Sequence, residues 1–189
     1  MRKEFRTVLA VLLLSAAVAP HAAATASRDT KNPKDEPTTP AKLSKEVRHQ
    51  LLMLPWYSVF DNLAYQVDGD KVTLSGQVTR PVLKSDAEAS VKNLEGGTFI
   101  VSNIEVLPVS FMDDQLRRAL FRSIYGQSGL SRYAVQAVPS IHIIVKNGNV
   151  TLEGVVDNEA DKNLANLRAN QVPNVFSVKN NLVVTGSSK

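Results

Sequence analysis

Val72-Thr73-Leu74-Ser75-Gly76-Gln77-Val78 recurs as Val150-Thr151-Leu152-Glu153-Gly154-Val155-Val156, and the match between these stretches decides the fold. Residues 72 to 106 lie over 150 to 184 without a gap, at a constant offset of 78 (150 − 72), with Asn103, Ile104 and Val106 over Asn181, Leu182 and Val184. Self-similarity kept at both ends of one register marks an internal duplication. Within each copy the alternation is strict. Val72, Leu74, Gly76 and Val78 point one way and Thr73, Ser75 and Gln77 the other, as a strand with one covered face requires.

Working outward, each copy predicts the same order of elements. Before the quoted strand, Leu63, Tyr65 and Val67 alternate in copy one and Ile141, Ile143 and Val145 in copy two, so a first strand precedes it. A four-residue connection carrying Asp68-Gly69 or Asn147-Gly148 joins the two. Gly69 and Gly148 supply the positive φ of tight hairpins, and because glycine moves by one position, the turn types should differ. Gly76 and Gly154 sit on the apolar face, where a missing side chain lets a helix approach closely or permits a bulge, or else leaves room for a ligand.

Upstream, the sequence predicts amphipathic helices. One runs from an N-cap at Ser44, with Val47 and Leu51 on one face. The other follows Asp113 and Asp114, with Leu116, Leu120 and Ile124 repeating every fourth residue. Downstream, a second helix over Val82 to Glu95 buries Ala87, Val91 and Leu94 and ends at Gly96-Gly97. Its counterpart stripe is Ala165, Ala169 and Val172. A third strand (Phe99 to Leu107; Val175 to Val184) closes each unit, parallel to one member of the hairpin. The fold class is therefore α+β: two tandem αββαβ modules, each a three-stranded mixed sheet packed on one face by two helices.

The order helix, strand, turn, Val-x-Leu-x-Gly-x-Val strand, helix and Asn-containing strand resembles the BON domain (bacterial OsmY and nodulation). The residues that carry it are Asp68-Gly69, Val72 to Val78 and Asn103-Ile104-Glu105-Val106, then Asn147-Gly148, Val150 to Val156 and Asn181-Leu182-Val183-Val184. The resemblance implies modules without chemistry, associated with phospholipid contact, envelope integrity or the holding of unfolded proteins, and it carries no catalytic residue set. Modules are expected at 43–108 and 109–185. Aligned helices differ by 69 and aligned strands by 78, so about nine extra residues fall within Tyr125 to Ser140, the loop of copy two that holds Arg132 and Tyr133, two further candidates for lipid or partner contact.

The N-terminus reads as an export signal. Arg2, Lys3 and Arg6 precede the apolar run Val8 to Val18 and the small residues Ala22 to Ala26, so cleavage is expected after Ala26, with a cut after Ala24 or an uncleaved membrane anchor as the alternatives. Residues 27–42 are expected to form a flexible leader, and 186–189 a tail. The chain carries 22 Lys and Arg against 18 Asp and Glu, a net charge of +4. Without residues 1–26 the counts become 19 and 17, about +2, which removes the main support for nucleic-acid binding. There is no cysteine, which excludes disulfides, thiolate metal sites and a lipidated cysteine. The expected location is the periplasm or the medium.

Reactive constellations are missing from the pattern. His49 and His142 read as surface histidines, without metal-binding spacing, and no nucleophile motif or phosphate-cradling loop occurs. No cofactor, metal or enzymatic activity is expected. Two features point to contacts instead. Pro55-Trp56-Tyr57, near Phe60, places Trp56 and Tyr57 where they either cap a small core or meet a membrane or partner. Arg117, Arg118 and Arg122 form a basic edge opposite Leu116 and Leu120, suited to anionic lipid or to solvent. The expected partners are an anionic phospholipid surface or periplasmic proteins.

Overall fold

The computed structural model describes residues 39–94, 99–136 and 138–185. The export signal, most of the leader, Gly96-Gly97 and the tail fall outside these residues. The first module comprises α1 (Pro40–Leu52), β1 (Asn62–Asp68), β2 (Lys71–Val78), α2 (Pro81–Lys92) and β3 (Phe99–Val106). The second comprises α3 (Phe111–Tyr125), a 3-10 turn (Ser131–Ala134), β4 (Ile141–Lys146), β5 (Asn149–Val156), α4 (Glu159–Asn170), β6 (Ser177–Asn180) and β7 (Val183–Val184).

The duplicated strand is central in both sheets. β2 pairs antiparallel with β1 and parallel with β3; β5 pairs antiparallel with β4 and parallel with β6 and β7. Lys71 lies opposite Phe99 and Asn149 opposite Ser177, which is one register displaced by 78. On one face, Val72, Leu74, Val78 and Ile104 pack beneath Leu43, Val47 and Leu51 of α1 and Leu83, Ala87 and Val91 of α2. The second core repeats this with Val150, Leu152 and Val156 under Leu116, Leu120 and Ile124 of α3 and Ala165 and Ala169 of α4. Leu74 and Leu152 are almost wholly buried. Truncating either to alanine costs about 2–5 kcal/mol.

Several local readings change. α1 starts at Pro40 rather than near Ser44, because Thr39 is the N-cap and Pro40 the first helical residue. Residues 40–42, expected in the leader, belong to α1. The hairpins close more tightly than four residues. Asp68 pairs with Lys71 and Lys146 with Asn149, leaving two-residue turns. Gly69 (φ 62°) occupies the first turn position in one, and Asn147 (φ 50°) and Gly148 (φ 75°) fill both in the other, so the types do differ. The last strand of the second module is interrupted, where Asn180 Oδ1 accepts from Leu182 N and Asn181 Nδ2 donates to Glu153.

At Gly76 and Gly154 the close neighbour is the adjoining strand, not a helix. A Cβ at Gly76 (φ +116°) would stand 2.0 Å from Asn62 O, and one at Gly154 (φ +119°) 2.0 Å from Ser140 O.

Candidate functional site

The segment between α1 and β1 is built around Asp61, 1% exposed. Its Oδ2 accepts from Ser58 N (3.1 Å) and Ser58 Oγ (2.6 Å), and its Oδ1 from Thr79 N (2.6 Å) and Thr79 Oγ1 (2.8 Å). Four donors compensate the desolvated carboxylate and pin the segment to the end of β2. Leu54 is buried in the first core, whereas Val59 is buried in the core of the second module, with Phe60 against it. Val59 O also accepts from Ile143 N at 2.8 Å, on the outer edge of β4. The connection thus belongs to both modules.

Between these anchors Trp56 is held at φ 70°. Positive φ is rare for a bulky side chain and costs about 1–3 kcal/mol. The strain turns the indole outward, 67% exposed, with the Arg80 guanidinium 5.2 Å from its ring centre. Trp56 therefore does not cap the core. It stands at a cleft of about 550 Å3 whose wall also includes Arg80, Val109 and Arg118. Val109 is 99% exposed. Arg118 is exposed, and Arg122 follows it one turn along α3, also exposed. Apolar tips beside guanidinium donors that have no hydrogen-bond partner among the described residues suit an anionic, amphipathic surface.

Arg117 is different from its neighbours. Expected on the open basic edge, it is 5% exposed. Nη2 donates to Val145 O at 2.7 Å and Nη1 pairs with Asp114 at 2.5 Å, joining α3 to the end of β4. Tyr57 also turns inward. Its hydroxyl accepts from Leu63 N at 3.2 Å, and its ring stacks on His142 with centroids 5.6 Å apart. Burial pushes the phenol pKa up. His142, expected at the surface, is buried because the first module covers that face of β4. Its burial pushes the imidazole pKa down, against the opposing pull of the Asp61 and Glu153 carboxylates.

Arg132 and Tyr133 lie outside the cleft and tie the long loop to α4. Arg132 pairs with Asp157 (3.1 Å) and Asp161, while Tyr133 OH donates to Asp161 at 2.7 Å and accepts from Asp157 N at 2.8 Å. Asp113, read as a helix-dipole residue, is 1% exposed and accepts from Asn147 N (2.8 Å) and Gly148 N (2.9 Å), bracing the second hairpin turn. Sequence reasoning missed Arg80, Asp61 and this role of Asp113. Only the turn dipeptide hinted at the last, by presenting two N–H groups that need an acceptor. Among the described residues no group of three His, Asp or Glu is placed to hold a metal ion. None of the described helices is long and apolar enough to cross a membrane.

No curated protein matches the chain. Among solved structures it is similar to CdsD, a structural protein of the type III secretion system of Chlamydia trachomatis, with 16% identity and a TM-score of 0.30. That match covers 75% of this chain and 62% of the other, less than two thirds of its length. The C-terminal domain of CdsD matches with 14% identity and a TM-score of 0.30, over 75% of this chain and 96% of that one. The BON domain family matches twice, over residues 41–108 and 113–186, and with most of its length in those two segments the chain belongs to that family as a tandem pair.

Proposed function

We propose that this is an exported, non-enzymatic envelope protein that docks weakly on anionic phospholipid surfaces through the corner formed by Trp56, Arg80, Val109 and Arg118. The observation that carries the reading is the strained, outward Trp56 with guanidinium groups beside it. Indole rings favour the headgroup boundary, and arginine near an anionic leaflet contributes about 1 kcal/mol each. Burying the exposed 67% of an indole of roughly 200 Å2, at about 25 cal/mol per Å2, contributes about 3 kcal/mol. With two arginines the total is about 5 kcal/mol, which corresponds to reversible, sub-millimolar binding.

Co-sedimentation with vesicles of phosphatidylglycerol and phosphatidylcholine tests this reading. Binding should rise with the anionic fraction, fall with salt, and weaken when Trp56→Ala is introduced. Absence of binding to fully anionic vesicles at low salt would reject it. The competing reading, a periplasmic holdase or protein-interaction module, requires suppression of client aggregation without lipid.

A further inference from the structure

A second cleft lies between the modules and shares no wall residue with the Trp56 corner. Its volume is about 450 Å3, within the range of about 300–1,000 Å3 that small ligands occupy, and domain junctions are where such sites form. The end of α1 and the start of β1 form one side. Residues of the 136–140 segment and the outer face of the β4–β5 sheet form the other.

The walls are of three kinds. Leu51, Leu52, Leu63, Val138 and Val155 are apolar, and Leu52 and Val155 remain 44% and 47% exposed, so folding leaves part of this surface uncovered. Arg48 is exposed, and no Asp or Glu lines the cleft with it, so the fixed charge there is positive. The third kind is buried and polar. His142 is 9% exposed, and Ser140 Oγ and His142 Nδ1 are shielded from solvent with no hydrogen-bond partner among the described residues.

Buried polar atoms without partners are costly and few in a folded protein, so two on one wall require a reason. The repeated fold does not supply it. Asn62 and Ala64 occupy the equivalent positions of the first module, where the same strand forms around an alanine. Neither side chain needs backbone movement to present its polar atom. Ser140 is held on both sides, its N–H donating to Tyr133 O at 3.2 Å and its O accepting from Val155 N at 3.0 Å, which leaves the hydroxyl to turn about χ1. A half-turn of the imidazole about χ2 keeps its stacking on Tyr57 and exchanges its two edges.

These walls sort the groups of a ligand. A carboxylate belongs at Arg48, where water still reaches and the guanidinium offers a two-pronged match. At Ser140 and His142 burial disfavours a full negative charge, and a neutral oxygen is the acceptor that fits. The apolar walls take a short hydrocarbon chain. We propose that this cleft binds an N-acylated amino acid: its carboxylate paired with Arg48, its amide oxygen accepting from Ser140 and His142, and its acyl chain lying on Leu52, Leu63 and Val155. The site is separate from the lipid-facing corner, so either reading stands without the other.

The test uses the full chain and N-octanoylglycine, followed by titration calorimetry. Saturable binding is expected, about tenfold weaker for N-octanoylglycinamide, which lacks the charge. Arg48→Gln should weaken the acid by a similar factor without altering thermal unfolding, because Arg48 is exposed. Ser140→Ala should weaken N-octanoylglycine about fivefold and leave undecanoate, of equal length but without the amide, unaffected. Trp56→Ala should change none of these affinities. If the Ser140 variant misfolds, the His142 imidazole nitrogen resonances of the unaltered chain decide the matter, moving with N-octanoylglycine and not with undecanoate. No saturable binding, equal affinity for the acid and its amide, loss of binding in Trp56→Ala, or unmoved His142 resonances would each overturn the proposal.

Discussion

Arg117 and Arg118 are adjacent in sequence, and replacing each with alanine should give opposite results. Arg117→Ala removes the donor to Val145 O and the partner of Asp114, along with a buried aliphatic stem. A hydrogen bond from a charged donor is worth about 1.5–3 kcal/mol. Asp114 keeps about half its exposure, so water compensates it and little is added for a stranded charge. The loss should be about 2–3 kcal/mol, which at this chain length lowers the melting temperature by roughly 5–10 °C. Arg118→Ala should stay within about 0.5 kcal/mol of the parent in stability. It should weaken binding to anionic vesicles about fivefold, through loss of about 1 kcal/mol. Thermal unfolding by circular dichroism and vesicle co-sedimentation read the two effects separately. Loss of vesicle binding in Arg117→Ala at an unchanged melting temperature would refute the assignment of Arg117 to the fold and restore it to the basic edge.

Gly154→Ala drives a Cβ to 2.0 Å from Ser140 O at φ +119° and should cost about 3 kcal/mol or more, whereas Gly69→Ala, at φ +62° with open space around it, should cost about 1 kcal/mol. Comparable denaturation midpoints for the two variants would contradict that account. Asp113→Ala leaves Asn147 N and Gly148 N without their acceptor and should destabilise by about 2–4 kcal/mol, with hydrogen exchange at those two amides accelerating first. His142 carries the pH dependence. Burial lowers its pKa below 6.5, so as pH falls the unfolded chain takes up the proton before the folded one does. That contribution to stability is complete above about pH 6.5 and is lost as pH drops through the depressed value. His142→Gln should flatten the stability profile between pH 7 and 5 (about the range where histidine titrates), as measured by urea titration.

What the sequence disclosed was what short-range order determines. The alternation of Val72 to Val78 and of its copy places the central strands, and the four-residue spacing of Leu116, Leu120 and Ile124 places a helix face. The displaced glycine of the two turns even separates their types. What stayed hidden depends on who comes to lie opposite whom. Nothing near Arg117 says that Val145 O will end beside it, and nothing near His142 says that Tyr57 will cover it. Alternation assigns His142 to the face away from the core, which is correct, but here that face meets the other module. Gly76 and Gly154 were singled out for the right property and the wrong neighbour, because a period of two does not reveal which backbone stands nearest. Of the corner, Trp56 and Arg118 were legible as residue types. Arg80 and Val109 became part of it only through folding.

Val59 and Phe60, carried by the first repeat, complete the apolar interior of the second. A boundary drawn at residue 108 therefore leaves the downstream half with a void and the upstream half with two greasy side chains adrift in water. Recombination that shuffles such repeats as interchangeable cassettes would fail here. Heat should melt both halves in a single calorimetric transition.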